Sequence, residues 1–272
     1  MSKFNNKVAI VTGAGSGIGQ ATAQLFAQRG ASVLVTDINP DTAKATAEQI
    51  VSNGGVAASM SCDICSEDAI RETIAQAIKL FGGLDILHNN AALQDPAVLA
   101  QDADIASMDP DIWDRVMQTN VRGTMLGCKH ALPAMLERGG GVIVNTSSTY
   151  GLAAYISLPA YSASKAAINS LTQHVATAYG KRGIRCNAVA PALVMTPLTH
   201  SFIPQPLIDI NIDGAATPFL GGPQDVAQAV AWLASEEARF INGHILAVDG
   251  GTLVTQPTVP ASRKFFAQAG AE

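Results

Sequence analysis

Short runs of apolar, often β-branched residues alternate with longer amphipathic segments along nearly the whole chain. Seven runs have the length of strands, and several of them are nearly continuous in apolar residues, as strands buried on both faces are: residues 8–11, 32–36, 56–61, 86–88, 141–145, 185–189 and 244–248. Between them, the pattern predicts helices over residues 18–29, 40–53, 66–81, 110–137, 161–181 and 223–233. Strands joined through helices imply right-handed crossovers. The pattern therefore predicts an α/β fold with a doubly wound parallel sheet of about seven strands and helices on both faces.

Three segments depart from this alternation. Residues 94–109 form an acidic connection, and residues 192–222 form a proline-interrupted one. Long loops at the carboxyl edge of such a sheet usually carry function. Residues 252–272 contain three prolines and the pair Phe265–Phe266, and this tail either frays or docks on a partner subunit. Because no linker divides the rest, we expect one domain over residues 1–251, followed by the tail.

Composition and charge exclude several classes of protein. The 272 residues are 48% apolar and 14% charged, so the chain is not disordered. A formal net charge of -5 gives no overall positive field for nucleic acid or an anionic membrane. With no signal peptide or membrane helix in the pattern, we expect a cytoplasmic protein. We interpret Cys62 and Cys65 as structural and expect no metal, because no second Cys/His pair with ligand spacing follows.

A glycine-rich turn joins the first predicted strand to the first predicted helix. It comprises Thr12-Gly13-Ala14-Gly15-Ser16-Gly17-Ile18-Gly19. Glycines let the backbone approach a pyrophosphate, and the helix N-terminus offers unpaired N–H groups and partial positive charge. We predict a dinucleotide site that includes Gly13, Ser16, Gly17, Ile18 and Gly19. The alternative is a glycine-rich turn with no ligand.

The nature of the dinucleotide is indicated by Asp37, which ends the second predicted strand. A carboxylate there can accept hydrogen bonds from both hydroxyls of the adenosine ribose and would repel a 2′-phosphate. The glycine turn has no Lys or Arg, and none follows Asp37 before Lys44. NAD is therefore favoured over NADP. Asp63 and its neighbour Ile64, after the third predicted strand, are candidates for contact with the adenine.

Tyr161 and Lys165 lie four residues apart on a predicted helix, so their side chains share one face. A free tyrosine has a pKa of about 10 and is a poor base at neutral pH. A nearby ammonium favours the phenolate, and a positive nicotinamide ring would add to this effect. Tyr161 is then suited to remove the proton of an alcohol as hydride leaves the same carbon. Taken alone, the pair is weak evidence, because this spacing occurs by chance in many helices.

Further motifs resemble those of the short-chain dehydrogenase/reductase family, in its NAD-dependent secondary-alcohol branch. The resemblance covers nearly all of residues 5–251 and implies a Rossmann-type domain that binds the dinucleotide and performs catalysis, assembled as a homotetramer. The motifs that carry it are the spacing of the glycine turn, Asn89-Asn90-Ala91-Ala92, Asn120, Ser148 thirteen residues before Tyr161, Pro191-Ala192 and Asp249-Gly250-Gly251. Ala92 and Ala192 stand where the family usually has glycine, which adds a methyl group at each position but removes no reactive group.

The resemblance also implies roles for individual residues. Ser148 would hydrogen-bond the substrate oxygen beside Tyr161, while Ser147 closes the strand. Asn120 would hold a water that links Lys165 to solvent. The residues implied as cofactor contacts are Asn90, Ala91, Tyr161, Lys165, Pro191, Val194 and Thr196, with Lys165 on the nicotinamide ribose and Val194 and Thr196 at the carboxamide.

The residues expected to line the substrate pocket are nearly all apolar: Leu93, Tyr150, Leu152, Tyr155, Leu158, Leu193, Leu198, Phe202 and Leu207. Among them, Tyr155 and Leu193 join Ser148 and Tyr161 as the expected substrate contacts. No Lys or Arg occurs between Cys186 and Ala238, so this segment has no cation to bind a phosphate or carboxylate. We therefore expect an uncharged secondary alcohol that is cyclic or aromatic.

Two other functions are open at this stage. A ketone or 3-oxoacyl reductase of the same family is disfavoured by Asp37, because such reductases commonly use NADPH. A protein that binds NAD without turnover is disfavoured by Tyr161, Lys165 and Ser148 occurring together.

Overall fold

Seven parallel strands form the single sheet of the computed structural model, which describes residues 4–269. The order across the sheet is β3-β2-β1-β4-β5-β6-β7. The strands are β1 (Val8–Thr12), β2 (Ser32–Asp37), β3 (Val56–Ser61), β4 (Ile86–Asn89), β5 (Gly141–Thr146), β6 (Ile184–Pro191) and β7 (Ile245–Val248). The predicted doubly wound α/β fold of about seven strands is confirmed.

Eleven α-helices occur in this part of the chain. They are α1 (Gly17–Gln28), α2 (Pro40–Ser52), α3 (Glu67–Phe81), α4 (Pro96–Leu99), α5 (Pro110–Met117), α6 (Gly123–Glu137), α7 (Pro159–Tyr179), α8 (Pro197–Phe202), α9 (Gln205–Gly214), α10 (Pro223–Ala234) and α11 (Val259–Gln268). Helices α4, α8, α9 and α11 lie in the segments that the sequence pattern left as loops or tail. Between α5 and α6, residues Gln118–Arg122 are a π-helical turn inside the predicted helix 110–137.

The side chains of the central strands alternate between two apolar clusters, one on each face of the sheet. Val11, Val35 and Val144 pack with residues of α1, α2 and α10. Ile10 and Ile143 face the other way and pack with residues of α3, α6 and α7. Burial on both faces explains why the strands appear in the sequence as nearly continuous apolar runs.

The direction of winding reverses between β1 and β4, which are hydrogen-bonded neighbours. Loops that follow these two strands separate above the sheet and leave a crevice at its carboxyl edge. The glycine turn follows β1, and Asn90 follows β4. The fold thus places the predicted cofactor motifs at the switch point.

The tail packs against the proline-interrupted connection, residues 192–222, of the same chain. The guanidinium of Arg263 donates hydrogen bonds to the carbonyl oxygens of Asp213 and Ala215, each at 3.0 Å. Lys264 Nζ lies 2.7 Å from a carboxylate oxygen of Asp213. Helix α11 is therefore attached to α9. Across the described residues, no helix has the length and apolarity needed to cross a membrane.

Candidate active site

The glycine turn is packed so closely that two of its glycines tolerate no side chain. Gly13 has a φ of +62°, and a Cβ there would lie 2.8 Å from Ala91 Cα. A Cβ on Gly19 would lie 2.2 Å from the carbonyl oxygen of Gly13. Both contacts are closer than van der Waals distance, so the turn keeps this shape only with glycine.

Gly17, which begins α1, is less closely packed than Gly13 and Gly19. Its φ is +55°, and the nearest atom to a Cβ there would be Thr196 Cγ2 at 3.4 Å. The side chain of Ser16 precedes the helix but makes no capping hydrogen bond, so the first-turn N–H groups, including that of Ile18, remain available to an anion. These residues fit the pyrophosphate of a dinucleotide.

Asp37 lies at the end of β2 with its carboxylate oriented by backbone N–H groups. Oδ2 accepts a hydrogen bond from Gly15 N–H at 2.9 Å, and Oδ1 accepts one from Asn39 N–H at 3.0 Å. The carboxylate is partly exposed beside the glycine turn. It therefore stands where an adenosine ribose attached to that pyrophosphate would lie.

The adenine candidates occupy the loop after β3. Asp63 is exposed, and its Oδ1 accepts a hydrogen bond from Cys65 N–H at 2.9 Å. Ile64 is buried in a small cluster with Cys62 and Leu126. All four cysteines are free thiols.

Asn90 connects the loop after β4 to the glycine turn. Its Nδ2 donates to the carbonyl oxygens of Thr12 at 3.0 Å and Gly13 at 3.2 Å. Thr12 Oγ1 in turn accepts hydrogen bonds from the N–H groups of Asn90 and Ala91. This network joins the two sides of the crevice, and Thr12 is a member that the sequence analysis did not assign.

Tyr161, Lys165 and Ser148 are brought together above the carboxyl ends of β5 and β6. Lys165 is 2% exposed, and its Nζ lies 5.4 Å from the centroid of the Tyr161 ring. The same Nζ donates to the carbonyl oxygen of Thr146 at 2.8 Å. Ser148 is hydrogen-bonded to Tyr161. Ser147 points away, and its hydroxyl donates to the carbonyl oxygen of Lys165 at 3.3 Å, which agrees with a structural role.

Burial shifts the pKa values of both Tyr161 and Lys165. Desolvation raises the pKa of Tyr161 above its ordinary value, and the hydrogen bond with Ser148 lowers it in part. Burial lowers the pKa of Lys165 from 10.5 to about 8. Both groups are thus shifted toward their neutral forms. This effect of burial opposes the attraction between ammonium and phenolate, which favours the charged forms.

Asn120 lies inside the π-helical turn and is 1% exposed. Its Oδ1 accepts a hydrogen bond from Leu93 N–H at 2.8 Å, and its Nδ2 donates to Ser164 Oγ at 3.0 Å. Among the described residues, its side chain has no hydrogen bond with Lys165. Asn120 therefore links the loop after β4 to helix α7, a contact that the sequence did not reveal.

The expected nicotinamide wall lies between β6 and α8. Pro191 ends β6, and its carbonyl oxygen lies 3.5 Å from Ser148 Oγ. Val194 is buried. The hydroxyl of Thr196 accepts a hydrogen bond from Thr199 N–H at 3.0 Å and so caps α8. These three residues border the same crevice as the glycine turn, from the opposite side.

An aromatic group borders Tyr161 on the side that is expected to face the substrate. The rings of Tyr150 and Tyr155 stack with centroids 4.8 Å apart, and Tyr150 meets Tyr161 edge to face at 6.4 Å. Tyr155 is 45% exposed, while Leu193 is partly buried. The structure therefore presents aromatic and aliphatic surface next to Tyr161.

His88 in β4 is a buried base beneath this site. Its Nε2 lies 3.0 Å from Thr146 Oγ1, and its Nδ1 has no hydrogen-bond partner among the described residues. Burial lowers the pKa of His88 to about 3. The imidazole is consequently neutral wherever the protein is folded near neutral pH.

We expect His88 to make the protein sensitive to acid. The unfolded chain binds a proton at this residue below a pH of about 6.5 while the folded protein does not, so stability falls as the pH decreases from 6.5 toward 3 by up to about 1.4 kcal/mol per pH unit. The free energy of unfolding, measured with denaturant, should fall between pH 7 and pH 5 in the wild type. This fall should be about 2 kcal/mol smaller in His88→Asn. The exposed His200, replaced in the same way, is the control. An identical pH dependence in His88→Asn and the wild type would contradict the expectation.

Comparisons with known proteins agree with this geometry. The family model described as enoyl-(acyl carrier protein) reductase matches residues 13–252. The chain is 36% identical over 259 residues to a 7alpha-hydroxysteroid dehydrogenase of Bacteroides fragilis, covering 95% of this chain and 99% of the relative. It is 37% identical over 249 residues to a cyclohexanol dehydrogenase of Acinetobacter sp., covering 92% and 96%.

A solved structure matches over the same length. The crystal structure of a protein from Burkholderia xenovorans, described as a short-chain dehydrogenase/reductase, superimposes with a TM-score of 0.87 at 32% identity, covering 93% of this chain and 99% of that one. The chain belongs to the short-chain dehydrogenase/reductase family. Members of this family are oxidoreductases that use NAD(H) or NADP(H).

Proposed function

We propose that this short-chain dehydrogenase/reductase is an NAD-dependent enzyme that interconverts an uncharged cyclic or aromatic secondary alcohol and its ketone. The observation that carries the proposal is the cluster of Ser148, Tyr161 and Lys165. The hydroxyl of Ser148 is hydrogen-bonded to Tyr161, and Lys165 Nζ lies 5.4 Å from the centre of the tyrosine ring. Two hydroxyl groups and a cation together can bind an alcohol oxygen and remove its proton.

The residues that would hold the coenzyme follow the crevice from end to end. Asp63 and Ile64 would contact the adenine and Asp37 its ribose, while Gly13, Ser16, Gly17, Ile18 and Gly19 surround the pyrophosphate. Asn90, Ala91, Tyr161, Lys165, Pro191, Val194 and Thr196 would surround the nicotinamide half. When bound, the coenzyme supplies a hydride acceptor whose positive ring favours a nearby phenolate.

The chain's own residues would then manage the proton. Ser148 holds the substrate oxygen beside Tyr161, and the phenolic oxygen of Tyr161 takes the hydroxyl proton during oxidation and returns it during reduction. Lys165, held by the carbonyl of Thr146, offsets the negative charge that forms on the phenol. Asn120 would hold a water beyond Lys165, through which the proton reaches solvent.

Charge supports NAD and an uncharged substrate. Asp37 presents a carboxylate where a 2′-phosphate would lie, and the residue that follows it, Ile38, is 70% exposed and carries no charge. On the substrate side, Tyr155 and Leu193 present apolar surface, and the segment from Cys186 to Ala238 has no Lys or Arg. Two relatives named for cyclic alcohols, cyclohexanol and a hydroxysteroid, are consistent with this assignment.

A panel of alcohols with NAD tests the proposal through the absorbance of NADH. Cyclohexanol, an aromatic secondary alcohol and a hydroxysteroid form the neutral set, and a hydroxycyclohexanecarboxylate is the matched anionic compound. We expect kcat/KM for the neutral ring to exceed that for its carboxylate by at least about tenfold, because no cation compensates the desolvated charge. Equal rates on both rings would contradict the proposed charge selection. No NADH formation with any member would contradict the proposed reaction.

We further propose that one domain over residues 1–251 binds the dinucleotide and performs catalysis, and that the enzyme is a cytoplasmic homotetramer. Helices α6 and α7, rich in small residues, are suited to packing against copies of themselves, and the tail after residue 251 would lie near such an interface. Sedimentation equilibrium should give about four times the chain mass of 28.1 kDa. A monomer mass would contradict the assembly.

A further inference from the structure

Asp102 is a fully buried acidic residue in the segment between β4 and α5. Its Oδ1 accepts a hydrogen bond from Ala160 N–H at 2.9 Å, and its Oδ2 accepts one from Tyr161 N–H at 2.8 Å. Its carbonyl oxygen accepts a third, from Leu158 N–H, at 2.7 Å. All three donors belong to the start of α7, the helix that carries the catalytic tyrosine.

Helix α7 has no cap of its own. The residue that precedes it is Leu158, which has a φ of +62° and makes no side-chain capping bond. Pro159 has no N–H, and Ser162 N–H already donates to the carbonyl oxygen of Leu158 at 2.9 Å. The N–H groups of Ala160 and Tyr161 are therefore the remaining donors of the first turn. Asp102 accepts from both, across 58 and 59 residues of sequence.

A chain of hydrogen bonds also connects the carbonyl oxygen of Tyr161 to the loop after β4. This oxygen accepts a hydrogen bond from Ser164 Oγ at 2.7 Å, and Ser164 Oγ accepts one from Asn120 Nδ2 at 3.0 Å. Asn120 Oδ1 accepts from Leu93 N–H at 2.8 Å. Thus hydrogen bonds connect both the N–H and the C=O of Tyr161 to the loop after β4. Of these two connections, only the one through Asn120 includes a residue of the family motifs.

We propose that Asp102 is a positioning residue for Tyr161. By binding the first-turn N–H groups of α7, its carboxylate fixes the backbone from which the phenol reaches Ser148. The negative charge also lies at the positive end of the helix dipole. The remainder of α7 is held by the core through Ile168, Val175 and Ala176, so loss of Asp102 loosens the catalytic turn and leaves the helix in place. This inference rests on the proposed function of Tyr161.

Asp102→Ala tests the inference, with Asp109→Ala as the matched control. Asp109 lies in the same acidic segment and caps α5 through Asp111 N–H at 2.9 Å, and among the described residues its side chain has no hydrogen bond to α7. We expect Asp102→Ala to lower kcat by about 10- to 100-fold on the panel alcohol that reacts fastest, because small misplacement of a catalytic group has effects of this size. The KM for the alcohol and the Kd for NADH should change less than about threefold. Asp109→Ala should retain the wild-type kcat.

Asp102→Asn gives a second, milder variant. Its amide oxygen accepts from one of the two N–H groups, while its NH₂ faces the other, so kcat should fall between the wild-type and Asp102→Ala values. An unchanged kcat in both variants, or a parallel loss of kcat and NADH affinity, would overturn the inference.

Amide hydrogen exchange tests the role of Asp102 independently of the proposed reaction. If the wild type oxidises no alcohol, the proposed function fails, but exchange of the amides in residues 160–165 still reports on Asp102. Asp102→Ala should speed exchange there by at least about tenfold relative to the wild type and to Asp109→Ala. Equal exchange in all three proteins would show that Asp102 does not hold the catalytic turn.

Discussion

Tyr161→Phe should lower kcat by at least about 10³-fold while leaving NADH binding within about twofold, because it removes the group that we propose exchanges the substrate proton. The ring remains to pack against Tyr150 and Lys165, so the fold and the nicotinamide pocket stay intact. Stopped-flow or steady-state absorbance of NADH measures turnover, and fluorescence titration with NADH measures binding.

Tyr150→Phe is the matched control for this substitution. Tyr150 contacts Tyr161 edge to face and stacks on Tyr155, and burial raises the pKa of its own phenol to about 12. It is thus a neighbouring phenol that does not ionise near neutral pH. Tyr150→Phe should keep kcat within about fivefold of the wild type. Substantial turnover by Tyr161→Phe would show that another group moves the proton.

Asp37→Ala should reduce the preference for NAD over NADP by about 100-fold in kcat/KM. Loss of the hydrogen bonds to the ribose hydroxyls weakens NAD by about tenfold, and loss of the negative charge improves NADP by a similar factor. Steady-state kinetics with each coenzyme and the same alcohol measure the ratio. An unchanged ratio would show that Asp37 does not select the coenzyme.

Two further variants separate charge from loop geometry. Asp37→Asn retains an oxygen that can accept the hydrogen bond from Gly15 N–H but carries no charge. It should improve NADP as Asp37→Ala does, with less loss of stability. Asp41→Ala removes a carboxylate from the first turn of α2 without touching the crevice and should leave the ratio within about twofold of the wild type.

The sheet and the glycine turn could be predicted because each is marked by residues that lie close together in the sequence. A strand buried on both faces, such as Val8–Thr12, appears as an apolar run in any one sequence. The glycine turn is similarly specific, since contacts of 2.8 and 2.2 Å exclude side chains at Gly13 and Gly19. Ser148 follows β5, and Tyr161 and Lys165 lie on α7, which leads to the neighbouring strand β6. The order of these elements therefore brings the three residues together.

What sequence reasoning missed depends on contacts between distant residues. Asp102 is one of several acidic residues in its segment, and nothing in its neighbours distinguishes it from Asp104 or Asp109. Its role appears only when the fold brings it to Ala160 and Tyr161. The short helices α8 and α9 were missed for a different reason: each has a proline in its first turn, and their 6 and 10 residues are too few to show a clear helical period.

Helix α11 has a practical consequence for anyone who handles this enzyme. Residues after Thr258 supply both Arg263 and Lys264, which are bonded to Asp213 and Ala215 at the end of α9. Proteolysis after Thr258, or a tag that disturbs α11, therefore releases the end of α9. Preparations that differ in these residues should have their activities compared before they are treated as equivalent.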